Sequence, residues 1–469
     1  MLGSSFFPQF CYNTVLQQNH RAGVVVAAVC SSSSRHHHLI QSIHTTTSVN
    51  FDLWRTTTTN VIARASTQPP LSTSSLDEPP PQMEVPVVIV GAGPAGLATS
   101  ACLNKHSIPN IVLEKDDCHA PLWRKKTYDR LKLHLSKEFC NLPHMSFSSD
   151  LPTFVPRVGF LRYLDDYVTH MKIDIRCNRY VDDASYDVNG GKWRVSVKGT
   201  TSFVDDEIYV ADYLVVATGE NCEAYIPKIN GLESFEGEYI HCSNYLNGRP
   251  WYNKNVLVVG SGNSGMEISY DLSTWGANTS IVIRSPVHYF SKEMVYMGMC
   301  MLKYLNVETV DKLMVGMSKM KYGDMSKYGL IRPKEGPFAM KNSGKRTPTI
   351  DVGCVKKIKK GIVKVYPAIS TIKNDKIVEF ADGKSGKFDV IIFATGYRTN
   401  VHKWLKDYKE MFNENGIPKR CYPNHWKGEK GIYCAGFTKR ALQGIAYDAK
   451  QIANDIKRDI NARNQSATA

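Results

Sequence analysis

Six short apolar runs mark out the chain from residue 87 onward: VVIV (87–90), IVL (111–113), LVV (214–216), VLVV (256–259), IVI (281–283) and IIF (391–393). Each is unbroken Val, Ile, Leu or Phe, the pattern of a strand covered on both faces rather than one with a wet side. VVIV enters the glycine-rich turn GAGPAG (91–96), a helical stretch follows through 98–104, and IVLEK (111–115) closes the unit. Strand, helix and strand together take about thirty residues, the size of a parallel crossover. The segment 256–284 repeats the design with VLVV, GSGNSG (260–265), a helix from Ser264 and IVIR. The runs at 214 and 391 end in near-identical words, LVVATGE and IIFATGY. Between 294 and 320 a Met-rich stretch has helical spacing. It predicts either a packed helical insertion or an adaptable apolar lining beside a substrate. The pattern as a whole predicts an α/β fold with two dinucleotide-binding (Rossmann-like) domains.

Residues 1–82 follow another rule. They are rich in Ser and Thr, carry Arg21, Arg35, Arg55 and Arg64, hold Asp52 as the one acid before Asp77, and end in a proline-rich linker. This is the composition of an organelle transit peptide or of a disordered extension. His36–His38 is read as incidental, and no metal site is expected. The apolar stretch 23–30 (GVVVAAVC) is too short to cross a bilayer, and no run of eighteen apolar residues occurs.

The net charge of +14 raises the question of nucleic acid. The cations are scattered without an RNA-binding or zinc-finger signature, so no nucleic-acid partner is expected. Lys356, Lys357, Lys359 and Lys360 are placed in a solvated loop. A basic surface does suit an enzyme with anionic cofactors and substrates.

The two turns carry the first chemical information. Gly residues let the backbone turn tightly against a pyrophosphate, and the following helix offers free N–H groups and the positive end of its dipole. One such triplet is weak evidence; two in strand–turn–helix context are not. They differ at the end of the second strand. Glu114 stands 23 positions after Gly91, where a carboxylate accepts bonds from a ribose diol and repels a 2′-phosphate. Arg284 stands 24 positions after Gly260, where a guanidinium can hold that phosphate. The first site is therefore expected to take FAD or NAD, and the second NADPH. A hydride would pass from NADPH to a flavin. Among twelve cysteines there is no CxxC pair to receive the electrons, which leaves oxygen or an external acceptor. Their scatter suits reduced thiols in a cytosol-like compartment.

FEGEYIHCSNY (235–245) fits the pattern FxGxxxHxxxY, and with FATGYRTN (393–400) it resembles the flavin-containing monooxygenases. The segments 122–143 (LWRKKTYDRLKLHLSKEFCNLP), 327–353 (KYGLIRPKEGPFAMKNSGKRTPTIDVG) and 424–449 (NHWKGEKGIYCAGFTKRALQGIAYDA) are similar to the plant YUCCA branch. The resemblance covers roughly 85–460 and fails in the extension. It implies an FAD- and NADPH-dependent monooxygenase that turns indole-3-pyruvate and O2 into indole-3-acetate, an auxin, with CO2 and water, through a C4a-(hydro)peroxyflavin. The oxidising power then belongs to the cofactor and the protein supplies placement and dryness, so no acid–base triad is expected.

By resemblance and chemistry together, Gly91, Gly93, Pro94, Ala95, Gly96 and Glu114 are assigned to the ADP half of FAD. Leu122, Trp123 and Arg124 are assigned to the flavin and its phosphates. Gly260, Gly262, Asn263, Ser264, Gly265 and Arg284 are assigned to NADPH, with Asn263 able to orient the nicotinamide. Thr395, Gly396 and Tyr397 are placed at the joint between domains. His134 takes the place of an Asn that animal members carry near the flavin C4a, and either hydrogen-bonds there or packs. His241 is read as structural. The expected domains are a discontinuous FAD domain (83–222 and 345–460), an inserted NADPH domain (223–344) and a flexible tail (461–469). Two alternatives stay open: a sibling enzyme that oxygenates soft sulfur or nitrogen, and a non-catalytic flavoprotein that oxidises NADPH. The expected location is the cytosol, with the ER surface compatible, or a plastid if 1–82 is a transit peptide. No oligomeric state is assigned.

Overall fold

The computed structural model of the protein describes residues 80–468. The expectations for residues 1–79, His36–His38 included, fall outside the described residues; Gln82, the last residue of the expected extension, already pairs with Ile208 in a strand. Two parallel five-stranded sheets organise the rest, and four strands of each share one order; the fifth, an edge strand, comes last in the chain in the first lobe and precedes the glycine-turn strand in the second. In the first lobe the order is Ile432–Cys434, Tyr213–Val216, Val87–Val90, Asn110–Leu113, Ile175–Arg176. In the second it is Glu238–His241, Val390–Phe393, Asn255–Val259, Asn278–Val282, Val363–Tyr366.

The unbroken apolar runs are explained by cover on both faces. Val87, Ile89, Val112 and Val215 face a helical layer that includes Pro94–Lys105 and Ala441–Thr468. Their neighbours Val88, Val90, Ile111 and Val216 face a four-stranded sheet built from Gln82–Glu84, Arg179–Asp187, Lys192–Gly199 and Glu207–Ala211. The second lobe alternates likewise. Val256, Val258 and Ile281 turn toward helices, while Leu257, Val259 and Ile391 turn toward a three-stranded antiparallel meander at 369–387. The Met-rich stretch forms the helices Lys292–Met301 and Val307–Tyr322. Among the described residues no helix is long and apolar enough to cross a membrane.

Three expectations need correction. The second lobe does not end at 344: Val363–Tyr366 and Val390–Phe393, expected in the FAD domain, are strands of the second sheet. The two ATG words mislead because they do one job twice. Each ends the strand lying beside a glycine-turn strand, and Ala217 and Ala394 back the first glycine of their own sheet. The expected tail from 461 continues the last helix to Thr468, held where Arg463 pairs with Asp459 at 2.8 Å and Asp212 at 3.7 Å. The lysine cluster is not a loop: Lys356, Lys357 and Lys359 ride on the helix Cys354–Lys359 above a buried Cys354, Val355 and Ile358.

Candidate functional site

The glycines of each turn have three separate reasons to lack a side chain. Gly91 and Gly260 hold φ of +107° and +117°, and a Cβ on them would meet the carbonyl oxygens of Ala217 and Ala394 at 2.7 and 2.5 Å. A Cβ on Gly96 or Gly265 would sit 1.9 or 1.8 Å from the carbonyl of Gly91 or Gly260, so the helix lies flush on its own strand. Gly93 and Gly262 meet nothing within 4 Å. These middle glycines face open space, the direction from which a pyrophosphate can approach backbone. They are also the N-caps of Pro94–Lys105 and Asn263–Thr274, and neither helix has a side-chain cap or an acid in its first turn.

In the first lobe the turn opens into a cavity of about 380 Å³. Its lining includes Gly91, Gly93, Pro94, Ala95, Glu114, Leu122, Trp123, Leu133, His134 and Leu135. Glu114 is buried, and its oxygens accept the N–H groups of Ala92 at 2.8 Å and Asp116 at 3.1 Å. Burial pushes its carboxyl above the usual range, and those two N–H groups oppose the shift. Four atoms in the cavity wall are buried and unpartnered: Thr218 Oγ1, Glu220 Oε2, Asn400 Oδ1 and Trp404 Nε1. Buried polar atoms are normally satisfied, so this wall fits a polar ligand of FAD's kind. Arg124 does not join it. Its guanidinium bonds to Asp165 and to the His119 carbonyl at 2.9 Å, because the five-residue helix Pro121–Lys125 turns it away from its neighbour Trp123.

The second turn has its own features. Arg284 is exposed at the end of its strand and lies close enough to Arg346 to lower that guanidinium's pKa, after burial. Two cations thus stand together where one was expected. The sequence signal for Arg346 was its place in the GKRTP stretch, which carried no role of its own. Ser261 Oγ is buried without a partner, and the Asn263 carboxamide oxygen accepts the Ile350 N–H at 2.8 Å.

His134 and Asn263, 129 residues apart in the chain, meet. Asn263 Nδ2 lies 3.4 Å from His134 Nδ1, and His134 Nε2 lies 3.4 Å from Glu267 Oε2. The Tyr128 hydroxyl donates to the same Glu267 oxygen at 3.0 Å and neighbours Ser264. Burial alone would raise the Glu267 carboxyl; His134, Lys292 and Tyr128 hold it below its usual range. This contact joins the wall of the first-lobe cavity to the helix of the second turn. Glu267 was not singled out in the sequence, since a helix-interior Glu gives no sign of what it faces.

The identifying pattern is structural. Tyr245 is fully buried, and its hydroxyl donates to Asp271 at 2.6 Å. The His241 ring lies between Ser243 Oγ and the Gly396 carbonyl, each at 3.0 Å, and meets Tyr397 edge-on at 4.9 Å. Thr395 donates to the Tyr225 carbonyl, and Tyr397–Arg398 pairs antiparallel with Glu223–Ala224. Thr395, Gly396 and Tyr397 therefore lie where the chain crosses between the lobes.

Two glycine turns on two matching parallel sheets, ending in opposite charges, define a flavoprotein oxidoreductase built for a pair of dinucleotides. A family model described as flavin-binding monooxygenase-like matches residues 84–441. The chain is 51% identical over 375 residues to the probable indole-3-pyruvate monooxygenase YUCCA10 of Arabidopsis thaliana, covering 80% of this chain and 98% of that one. It is 44% identical over 376 residues to the indole-3-pyruvate monooxygenase YUCCA6 of the same plant, covering 79% and 89%. The solved structure of OTEMO in complex with FAD and NADP shares the fold at a TM-score of 0.61 and 16% identity, covering 82% of this chain and 86% of that one. The chain belongs to the flavin-binding monooxygenase family, in its YUCCA branch.

Proposed function

We propose that the protein uses FAD and NADPH to convert indole-3-pyruvate and O2 into indole-3-acetate, CO2 and water, with NADP+ released. The observation that carries the reading is the pair of turns, one ending in buried Glu114 and the other in exposed Arg284, joined by the His134–Asn263 contact. The substrate rests on the names of the YUCCA relatives.

When bound, FAD supplies a carrier that takes two electrons from NADPH and hands them to dioxygen. The chain's residues do the placing. The uncapped start of Pro94–Lys105 offers N–H groups to the FAD pyrophosphate, Glu114 accepts the ribose hydroxyls, and Leu122 and Trp123 wall the isoalloxazine. Gly262, Ser264 and the start of Asn263–Thr274 do the same for the NADPH pyrophosphate, and Arg284 with Arg346 holds the 2′-phosphate. His134 and Asn263 sit at the seam between the cofactors and orient what lies there. Arg124 is left outside this set.

The direct test supplies indole-3-pyruvate, NADPH and O2 to the purified flavoprotein and quantifies indole-3-acetate. Product formed in step with NADPH loss is expected. NADPH loss with H2O2 alone would make the protein an oxidase, and turnover of a thioether or amine instead would make it the sulfur- or nitrogen-oxygenating sibling.

The cytosol, with peripheral contact at the ER surface, is part of the proposal. Tyr304, Leu313 and Met320 are exposed beside Lys312 and Lys319, a pairing of apolar and cationic groups that suits an anionic bilayer surface. A fluorescent fusion of residues 1–82 separates this from plastid import.

A further inference from the structure

The reacting carbon of a 2-oxo acid is bonded directly to its carboxylate, so a cation that holds the acid must stand close to the flavin. Leu133 and His134 line the first-lobe cavity. The segment carrying them is fixed by hydrogen bonds from Leu133 N–H to the Val155 carbonyl at 2.7 Å and from Lys137 N–H to the Thr153 carbonyl at 2.8 Å. Phe154 lies between those two anchors. Over it reaches Lys292, the first residue of Lys292–Met301 in the other lobe. Its Nζ donates to the Leu133 carbonyl at 3.3 Å and stands 5.5 Å from the Phe154 ring centroid.

The amine is half-buried and makes no ion pair among the described residues. Glu267, whose charge reaches it, is already engaged by Tyr128, His134 and Arg130. An ammonium has three donors, and the Leu133 carbonyl uses one. Further along the same helix Tyr296 tilts against Phe139 at 6.2 Å, and all three aromatic rings are half-exposed. Lys303 Nζ stands 5.4 Å from the centroid of the Phe139 ring. A desolvated cation beside half-exposed aromatic rings, between the lobes, matches an aryl acid.

We infer that Lys292 binds the substrate carboxylate, with Phe139, Phe154 and Tyr296 receiving the aryl ring. The assignment rests on the 2-oxo acid reading above and gives the Met-rich helix a substrate-side role. It also places the anchor on the NADPH lobe, against a segment of the FAD lobe.

The test compares the inhibition of indole-3-pyruvate turnover by two unreactive probes, indole-3-propionate and its methyl ester, using FAD-loaded enzyme with saturating NADPH and O2. K292M weakens binding of the acid roughly ten- to a hundredfold, the range of a hydrogen bond to a charged group, raises the KM for indole-3-pyruvate in parallel, and weakens the ester far less. The acid-over-ester preference in Ki collapses, while K292R retains most of it. K292Q is measured in parallel, so a folding defect in one variant leaves the comparison standing. An unchanged preference overturns the assignment, and so do equal losses on both probes, the signature of a merely structural lysine. Collapse in K341M but not in K292M would also overturn it and move the anchor to Lys341, which has Arg440 beside it. Wild-type enzyme that makes no indole-3-acetate from indole-3-pyruvate refutes the proposed reaction instead.

Discussion

Glu220 sits in the cavity wall with one oxygen unpartnered, and burial pushes its carboxyl from 4.5 up to about 7. Between those two values the folded chain holds a proton that the unfolded chain has lost. Stability therefore falls as pH rises through that window, by at most about 3 kcal/mol, and levels off above it. Denaturant melts of the FAD-free protein at either end of the window measure the slope, and Glu220→Gln should flatten it. Arg284 makes a different kind of prediction. It is exposed at a strand end with Arg346 beside it, so its removal leaves packing intact and takes away one charge-assisted contact. R284A should shrink the preference for NADPH over NADH in flavin reduction about tenfold, and R284A/R346A should shrink it further. A stopped-flow ratio that stays at the wild-type value would remove the pair from this role.

At the scale of elements, the strand–turn–helix unit explains why glycines three residues apart have unlike sensitivities. Gly262 faces open space, whereas a Cβ at Gly265 would overlap the Gly260 carbonyl. G262A should melt near the wild-type temperature yet slow NADPH-dependent bleaching of the flavin; G265A should lower the melting temperature itself. Thermal melts beside NADPH titrations separate the two. Both units were legible in the sequence because a doubly covered strand must be apolar throughout and a tight turn must be glycine. The partner of each turn was not legible. The ATG words at 217 and 394 are alike, and only hydrogen-bonded register shows that one serves each sheet. The orientation of Arg124 was hidden for a related reason. In a helix of five residues, neighbours in sequence point in different directions, and LWR as a string does not say which of the three faces the cavity.

For the whole molecule, the seam between lobes matters most. His241 on the Gly396 carbonyl and the 223–224/397–398 ribbon tie the two crossings together, while His134 meets Asn263 and Lys292 meets the Leu133 carbonyl elsewhere along the seam. Among the described residues, the four apolar cores draw on positions 83 onward. A chain beginning at Pro80 should consequently stay yellow on purification and reduce its flavin with NADPH at the full-length rate. Loss of bound flavin in that shortened chain, read from its visible spectrum, would give the extension a part in cofactor retention.

Sequence alone determined the local chemistry: which strands are buried on both faces, where backbone must pass close to a phosphate, and which strand end carries an acid or a base. Those properties depend on residues within a turn or two of each other, so they are written consecutively. Tertiary structure decided everything that joins distant segments. It set the boundary of the second lobe, the pairing of Arg284 with Arg346, the meeting of His134 with Asn263 and Glu267, and the reach of Lys292 across the seam. Contacts within the second lobe form only when its own distant segments fold together, and those at the seam only when two lobes meet; no periodicity in a chain records which charged side chain will find itself without a partner there.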